Sequence, residues 1–298
     1  MLKTRQNKIR NFGRSWLLNH PKINPYKWFH PGIFRTITAP FRVLPDYLII
    51  GVQKGGTSSL YDYLIKHPNV YPTFEKESHF FDLSMGKRWY RSYFPTIFTK
   101  FYVKYILQQS FITGEATPNY IFFPYCAKKI FKVVPKAKLI LILRNPVDRA
   151  YSQYQMKVKK EQENLSFEEG IKMEEKRLSK DQKITDEQYY NSKNFNRYAY
   201  LLRGIYSEQL KMWMDIFPRE QFLILTSEEF DSNEYETLNK VFEFLNLKQH
   251  TPKNLQRKHV GNYKESMNPE TRKKLIEYFR PHNEKLYKFL GRKFDWDK

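Results

Sequence analysis

The sequence has little cysteine and no long apolar run. Cys126 is the one cysteine among 298 residues, which excludes an intrachain disulfide and a zinc site made of four cysteines. A chain without disulfides fits a reducing compartment, so we expect a cytoplasmic location. No stretch reaches the roughly 20 uncharged apolar residues that a membrane-spanning helix needs. The first residues also lack the apolar core of a signal peptide.

Acidic residues are missing from the start of the chain. Residues 1–45 contain nine lysines or arginines and no aspartate or glutamate, interleaved with aromatic residues such as Trp16, Trp28 and Phe34. Three interpretations of this basic N-terminal arm stay open: an irregular segment packed on the domain, an arm that contacts an anionic membrane or glycan, and an organellar transit peptide. Scarce serine and repeated prolines rank the transit peptide last.

Length and charge set the class of protein and of partner. Residues 46–298 are enough for one domain with a sizeable core, which is the simplest division of the chain. The formal net charge of +21 predicts anionic partners. Nucleotides, sulfated glycans, nucleic acids and anionic lipids all belong to that class, so charge alone does not choose among them.

The stretch from Asp46 to Leu60, DYLIIGVQKGGTSSL, has the pattern of a strand, a glycine-rich loop and a helix. Such a loop directs backbone N–H groups and the positive end of a helix at one point, which suits a phosphate or sulfate group. A nucleoside-triphosphate loop has lysine after its second glycine. Here Thr57 occupies that position, and Lys54 lies inside the loop. We interpret the loop as one for a phosphosulfate, with these donors: Lys54, Gly55, Gly56, Thr57, Ser58 and Ser59.

A second anion site is predicted where another strand ends. Lys138–Leu143 is an apolar run typical of a strand buried on both faces of a parallel sheet. A helix follows, for which Asn145 can serve as N-cap and Pro146 as first residue. Arg144 and Ser152 therefore lie where ligands bind in open α/β sheets. Two separate anion sites suit a nucleotide that carries an additional phosphate.

On these residues the chain resembles sulfotransferases that use 3′-phosphoadenosine 5′-phosphosulfate (PAPS), most closely the bacterial-type enzymes related to heparan sulfate sulfotransferases. The resemblance covers the chain from Asp46 onward. Further motifs carry it: K-E-x-H-F-F at Lys76–Phe81, E-x-T-P-x-Y at Glu115–Tyr120, and R-N-P-x-x-R-x-x-S-x-Y from Arg144. The chain departs from secreted and Golgi relatives, which usually carry a disulfide near the C-terminal third, and this weakens a lumenal interpretation.

The resemblance implies a role for each motif. The loop with Lys54 would hold the 5′-phosphosulfate, and Arg144 with Ser152 the 3′-phosphate. Arg257 would contact the cofactor, although the match around it is loose. Removing the acceptor proton is general-base work, for which Glu77 is expected; His79 is the second candidate, or it orients Glu77. The residues expected to line the acceptor cleft are Lys76, Glu115 and Thr117.

These observations predict an α/β, P-loop-like fold of three layers, with a central parallel sheet flanked by helices on both faces. The predicted function is transfer of a sulfonate group from PAPS to a hydroxyl or amine of a carbohydrate. Sulfation of a lipid or small-molecule alcohol is the alternative, and a nucleotide kinase or a basic nucleic-acid-binding protein ranks below it. We expect no metal and no specific nucleic-acid partner, and peripheral contact of the basic arm with an anionic membrane stays open.

Overall fold

A five-stranded parallel sheet forms the centre of the protein. The computed structural model describes residues 33–83, 86–180, 193–252 and 266–296. The strands are β1 (Tyr47–Gly51), β2 (Val70–Tyr71), β3 (Ile112–Ala116), β4 (Lys138–Leu143) and β5 (Phe222–Thr226). Their order in the sheet is β2-β3-β1-β4-β5, and each neighbouring pair is parallel. The predicted parallel α/β architecture is confirmed.

Helices follow the strands along the chain. The α-helices in the described residues are α1 (Ile33–Ile37), α2 (Thr57–Leu64), α3 (Lys87–Arg91), α4 (Ile97–Phe101), α5 (Pro124–Val133), α6 (Pro146–Lys159), α7 (Phe167–Lys172), α8 (Glu174–Ser179), α9 (Lys193–Tyr198), α10 (Tyr206–Met214), α11 (Ser227–Ser232), α12 (Glu234–Phe244) and α13 (Pro269–Leu290). A π-helical turn, Tyr102–Ile106, continues α4. None of these helices combines the length and the apolar character needed to cross a bilayer.

Both faces of the sheet are buried. On β1, Leu48 and Ile50 pack into one core, to which α5 and α10 contribute. The alternate residues Tyr47 and Ile49 pack into a second core with α2 and α12. Successive side chains of a strand point to opposite faces, so a strand covered on both sides is apolar throughout. This explains the uninterrupted apolar run of β4 and confirms helices on both faces.

The start of α6 matches its prediction closely. β4 has the predicted bounds, and the Asn145 side chain caps α6 by accepting a hydrogen bond from the Val147 amide at 3.0 Å. Pro146 is the first helical residue. Sequence alone therefore locates the junction at which Arg144 lies.

Other helix boundaries depend on more than local sequence rules. A proline inside a helix usually interrupts it, but α13 runs through Pro281 to Leu290, and Gly291 caps the helix in the left-handed conformation. Phe279 and Leu286 are buried on either side of the proline, so packing outweighs the loss of one backbone hydrogen bond. Residues 196–217 form several separate helical pieces. Thr226 caps α11, in a capping box with Glu229.

The described end of the basic arm packs on the domain. The Arg35 Nε donates to the Ser92 carbonyl at 2.8 Å, and the Arg42 Nη1 donates to the Phe94 carbonyl at 2.7 Å. Residues 1–32 lie outside the described part of the chain. The division at residue 45 stays a prediction.

Candidate active site

The glycine loop joins the carboxyl end of β1 to α2. Gly56 has a φ of 99°, a left-handed conformation that glycine adopts without strain. A Cβ on Gly55 would lie 2.4 Å from the Ile142 carbonyl oxygen, so only glycine lets the loop approach β4 this closely. The loop is also tied to β4 by a 3.0 Å hydrogen bond from the Val52 amide to Ile142. The first amides of α2 have no acceptor within the helix, and they start from this loop.

Positive charges converge on the loop. The Arg144 Nη1 donates to the Lys54 carbonyl oxygen at 3.0 Å, which brings together the two anion sites predicted from sequence. Burial lowers the pKa of Lys54, and neighbouring positive charges lower it further; these belong to Arg144, Lys160 and Lys159. Cations that repel one another in this way, beside the amides of the first turn of α2, form a donor set that fits a phosphate or sulfate group.

The segment that contains Glu77 contacts the loop directly. The Lys76 Nζ lies 2.8 Å from the Ser58 Oγ of α2 and 2.6 Å from a Glu77 carboxylate oxygen. One ammonium group therefore bridges the anion loop and the predicted base. The backbone of this segment turns at His79, which has a φ of 52°.

His79 lies between two carboxylates. Its Nε2 is 3.2 Å from Glu77, and its Nδ1 is 2.9 Å from the buried Asp82. Burial alone would lower the pKa of His79, but the charge and hydrogen bond of Asp82, with the bond to Glu77, raise it to about 10. The predicted pairing of Glu77 with His79 is present. Asp82 was missed by sequence reasoning, although its spacing of three residues from His79 was a usable signal.

Glu77 is held in its charged form. Burial would raise its pKa, but the hydrogen bond from His79 and the charge of Lys76 outweigh burial and lower the pKa to about 2. At neutral pH Glu77 is thus a carboxylate and His79 a cation. Only Glu77 is in the protonation state that a base requires.

Glu115 and Thr117 lie beneath this segment. Both side chains are fully buried. The Glu115 carboxylate accepts hydrogen bonds from the Ser78 amide at 3.0 Å, the Thr117 hydroxyl at 2.9 Å, the Tyr90 hydroxyl at 2.9 Å and the Tyr120 hydroxyl at 3.2 Å. This network fixes the backbone directly after Glu77. Contact of Glu115 and Thr117 with an acceptor stays a prediction.

The remaining predicted cofactor residues differ in their exposure. Thr57 and Ser59 are buried at the start of α2, whereas Ser58 is partly exposed. Ser152 is buried in α6, and its contact with a 3′-phosphate stays a prediction. Arg257 lies outside the described residues.

The sequence prediction did not include further cations that lie near Lys54. The pKa of the buried Lys157 falls to about 7, first through burial and then through the charges of Arg203, Lys160 and Arg197. The charge of Lys160 thus lowers the pKa of both Lys54 and Lys157. Lysines spaced along a helix carry no signal that separates a solvated face from a binding surface. Within the described residues, no three His, Cys, Asp or Glu side chains form a group that could hold a metal ion.

The chain is similar to known sulfotransferases in sequence and in structure. Residues 44–274 match the model of the sulfotransferase domain family. The chain is 28% identical to the membrane-associated sulfotransferase kil1 of Dictyostelium discoideum and 29% identical to the human heparan sulfate glucosamine 3-O-sulfotransferase 3B1. Each match covers 85% of this chain, which spans 66% and 65% of the lengths of these relatives. A crystal structure of a sulfotransferase from Alicyclobacillus acidocaldarius, 28% identical, matches with a TM-score of 0.66 over 86% of this chain and 100% of that one.

Proposed function

The chain belongs to the sulfotransferase domain family, and we propose that it transfers a sulfonate group from PAPS to a hydroxyl or amine of an acceptor. One observation carries the proposal. Lys76 bridges Ser58 of the anion loop and the Glu77 carboxylate, at 2.8 Å and 2.6 Å. An anion bound at the loop and a hydroxyl that gives its proton to Glu77 would therefore be neighbours.

The loop and Arg144 are the residues proposed to hold PAPS. When bound, PAPS supplies the sulfonate group and leaves as adenosine 3′,5′-diphosphate (PAP). Lys54 and the amides of Gly55–Ser59 would bind the phosphosulfate, and Lys54 would stabilise negative charge as it develops on the leaving oxygen. Arg144, joined to the Lys54 carbonyl, offers a planar guanidinium for a second phosphate, with Ser152 and Arg257 as further predicted contacts.

Glu77 is the proposed general base. It is ionised at neutral pH because Lys76 and His79 stabilise its charge. His79 carries a proton on both ring nitrogens, each facing a carboxylate, so it has no lone pair with which to accept another. We assign His79 to positioning Glu77, and Asp82 to positioning His79.

A carbohydrate is the proposed acceptor class. The relatives named for heparan sulfate glucosamine support it, and so does the net charge of +21. The exposed Lys160, whose charge acts on Lys54 and Lys157, would favour an acceptor with carboxylate or sulfate groups. A cytoplasmic location, expected from the single cysteine, stays a prediction.

Transfer of radiolabelled sulfonate from PAPS into separate panels of glycans, lipids and phenols tests this proposal. We expect label in an anionic glycan, and label in lipids or phenols alone would overturn the acceptor class. Thermal melts with PAP and with Mg-ATP test the cofactor independently of the acceptor. Stabilisation by Mg-ATP but not by PAP would replace the proposal with a kinase.

A further inference from the structure

Exposed aromatic and apolar side chains are concentrated on one face of the protein. Ten of the nineteen large hydrophobic side chains that are exposed in the described residues belong to residues 34–41 or 97–107. Phe34 is 75% exposed, and Phe98 and Tyr105 are each 67% exposed. We name the aromatic face by its central members: Phe34, Ile37, Phe41, Phe98, Phe101 and Tyr105. Apolar clusters of this kind on a protein surface mark interaction sites.

The two segments form one continuous surface. The rings of Phe41 and Phe98 stack with their centroids 6.3 Å apart, and those of Phe101 and Tyr105 are 4.8 Å apart. An antiparallel bridge between Arg42 and Thr96 joins the backbones. Val103 is the buried residue of this segment, so α4 and its π-helical turn hold most of their aromatic and apolar side chains toward solvent.

The charges around this face are almost all of one sign. Residues 33–45 and 86–110 together hold seven lysines or arginines and no aspartate or glutamate. Asp46 lies 3.9 Å from Lys100, at the edge of this face. Lysines beside exposed aromatic residues on a helix are typical of segments that lie in the interface of a membrane. There the aromatic rings enter the boundary between headgroups and acyl chains, and the lysines reach the anionic headgroups.

We infer that the aromatic face docks on an anionic phospholipid surface. A second copy of the chain would bring two sets of seven cations together, which opposes association. Residues 1–32 add seven more lysines or arginines and no acid, so the arm has the same sign as the face and would be attracted to the same membrane. A soluble polyanion would match the charge but offers nothing to the apolar side chains.

Docking would leave the anion loop free. Lys100 contacts Asp46, directly before the amino end of β1, whereas the loop follows the carboxyl end. The end of the aromatic face that holds Lys100 and the anion loop thus lie at opposite ends of β1. The inference is therefore independent of the proposed function and concerns where the enzyme works, not what it transfers.

Vesicle flotation with the full chain tests the inference. We compare phosphatidylcholine vesicles with and without phosphatidylserine, using the wild type, the double variant Phe101→Ser/Lys104→Gln, and the matched control Phe289→Ser/Lys288→Gln on α13. Both variants lose one exposed phenylalanine and one exposed lysine. Removal of Lys104 alone should weaken binding about fivefold, since one basic residue near an anionic surface contributes about 1 kcal/mol. Removal of Phe101 should weaken it further.

The expected result is phosphatidylserine-dependent binding that decreases with salt, is reduced at least about fivefold in the Phe101 variant and is unchanged in the control. Melting temperatures and sedimentation velocity accompany each sample. Equal binding by both variants, or no binding by the wild type, would overturn the inference. Self-association of the wild type that the Phe101 variant loses would overturn it in favour of a second copy.

Discussion

Replacement of Glu115 tests whether this residue holds the active-site segment from below. Its carboxylate is fully buried and accepts hydrogen bonds from Ser78, Thr117, Tyr90 and Tyr120. Glu115→Ala removes the acceptor of all these donors at once. Glu115→Gln keeps one oxygen, and its amide group can face the two tyrosine hydroxyls, which can rotate to accept.

The structure sets the expected magnitudes. A buried donor left without an acceptor costs about 1–3 kcal/mol. The Ser78 amide cannot turn away, while the hydroxyls can find other partners in part, so we expect Glu115→Ala to lower the free energy of unfolding by about 3–5 kcal/mol. Burial raises the pKa of Glu115, which means that its charge carries a desolvation penalty that glutamine avoids. Glu115→Gln should therefore stay within about 1 kcal/mol of the wild type.

Urea unfolding measures these free energies, and a thermal melt provides a second readout. With an unfolding entropy of about 2 cal/mol/K per residue, the alanine variant should melt about 5–8 °C lower. A wild-type unfolding midpoint for Glu115→Ala would refute the structural role. A glutamine variant with wild-type stability but an acceptor KM raised about tenfold or more would instead show that Glu115 contacts the acceptor.

Three further predictions concern the loop and the His79 ion pair. Gly55→Ala should reduce the affinity for PAP, measured by calorimetry, and destabilise the fold by about 1–3 kcal/mol, because the new Cβ would lie 2.4 Å from the Ile142 carbonyl oxygen. The control Gly86→Ala should change neither, because a Cβ at Gly86 would have no atom within 4 Å. Lys54→Ala should weaken PAP binding about 10- to 100-fold, the value of one charge-assisted hydrogen bond, and unchanged affinity would remove Lys54 from the site. The pKa of His79 rises from an ordinary value of 6.5 to about 10, so the ion pairs of His79 stabilise the fold fully below pH 6.5 and lose this effect as the pH approaches 10. The difference in unfolding free energy between the wild type and His79→Gln should therefore shrink over that range. A constant difference would contradict the ion pair.

Much of the framework could be predicted because it depends on local patterns. A strand buried on both faces must be apolar throughout, and Lys138–Leu143 was recognised for that reason. Turn chemistry located the glycine loop, and the capping residue Asn145 located the start of α6. Each of these features is determined by residues next to one another in the chain.

What could not be predicted depends on contacts between distant segments. Nothing in the sequence indicates that Lys76 reaches Ser58, which places Glu77 beside the loop. The E-x-T-P motif gives no sign that Glu115 faces inward, because a glutamate can be buried or can line a cleft with the same sequence around it. A proline inside a helix usually breaks it, yet packing on both sides of Pro281 maintains α13.

The central claim, that Glu77 takes the acceptor proton while His79 and Asp82 hold it in position, is tested most directly by single-turnover sulfonate transfer with parallel measurement of PAP affinity. For Glu77→Gln we predict a rate lower by about 10²–10⁴ with PAP binding unchanged, and for Asp82→Asn a smaller loss. Wild-type transfer by Glu77→Gln, together with an inactive His79→Gln that still binds PAP, would contradict the account and make His79 the base.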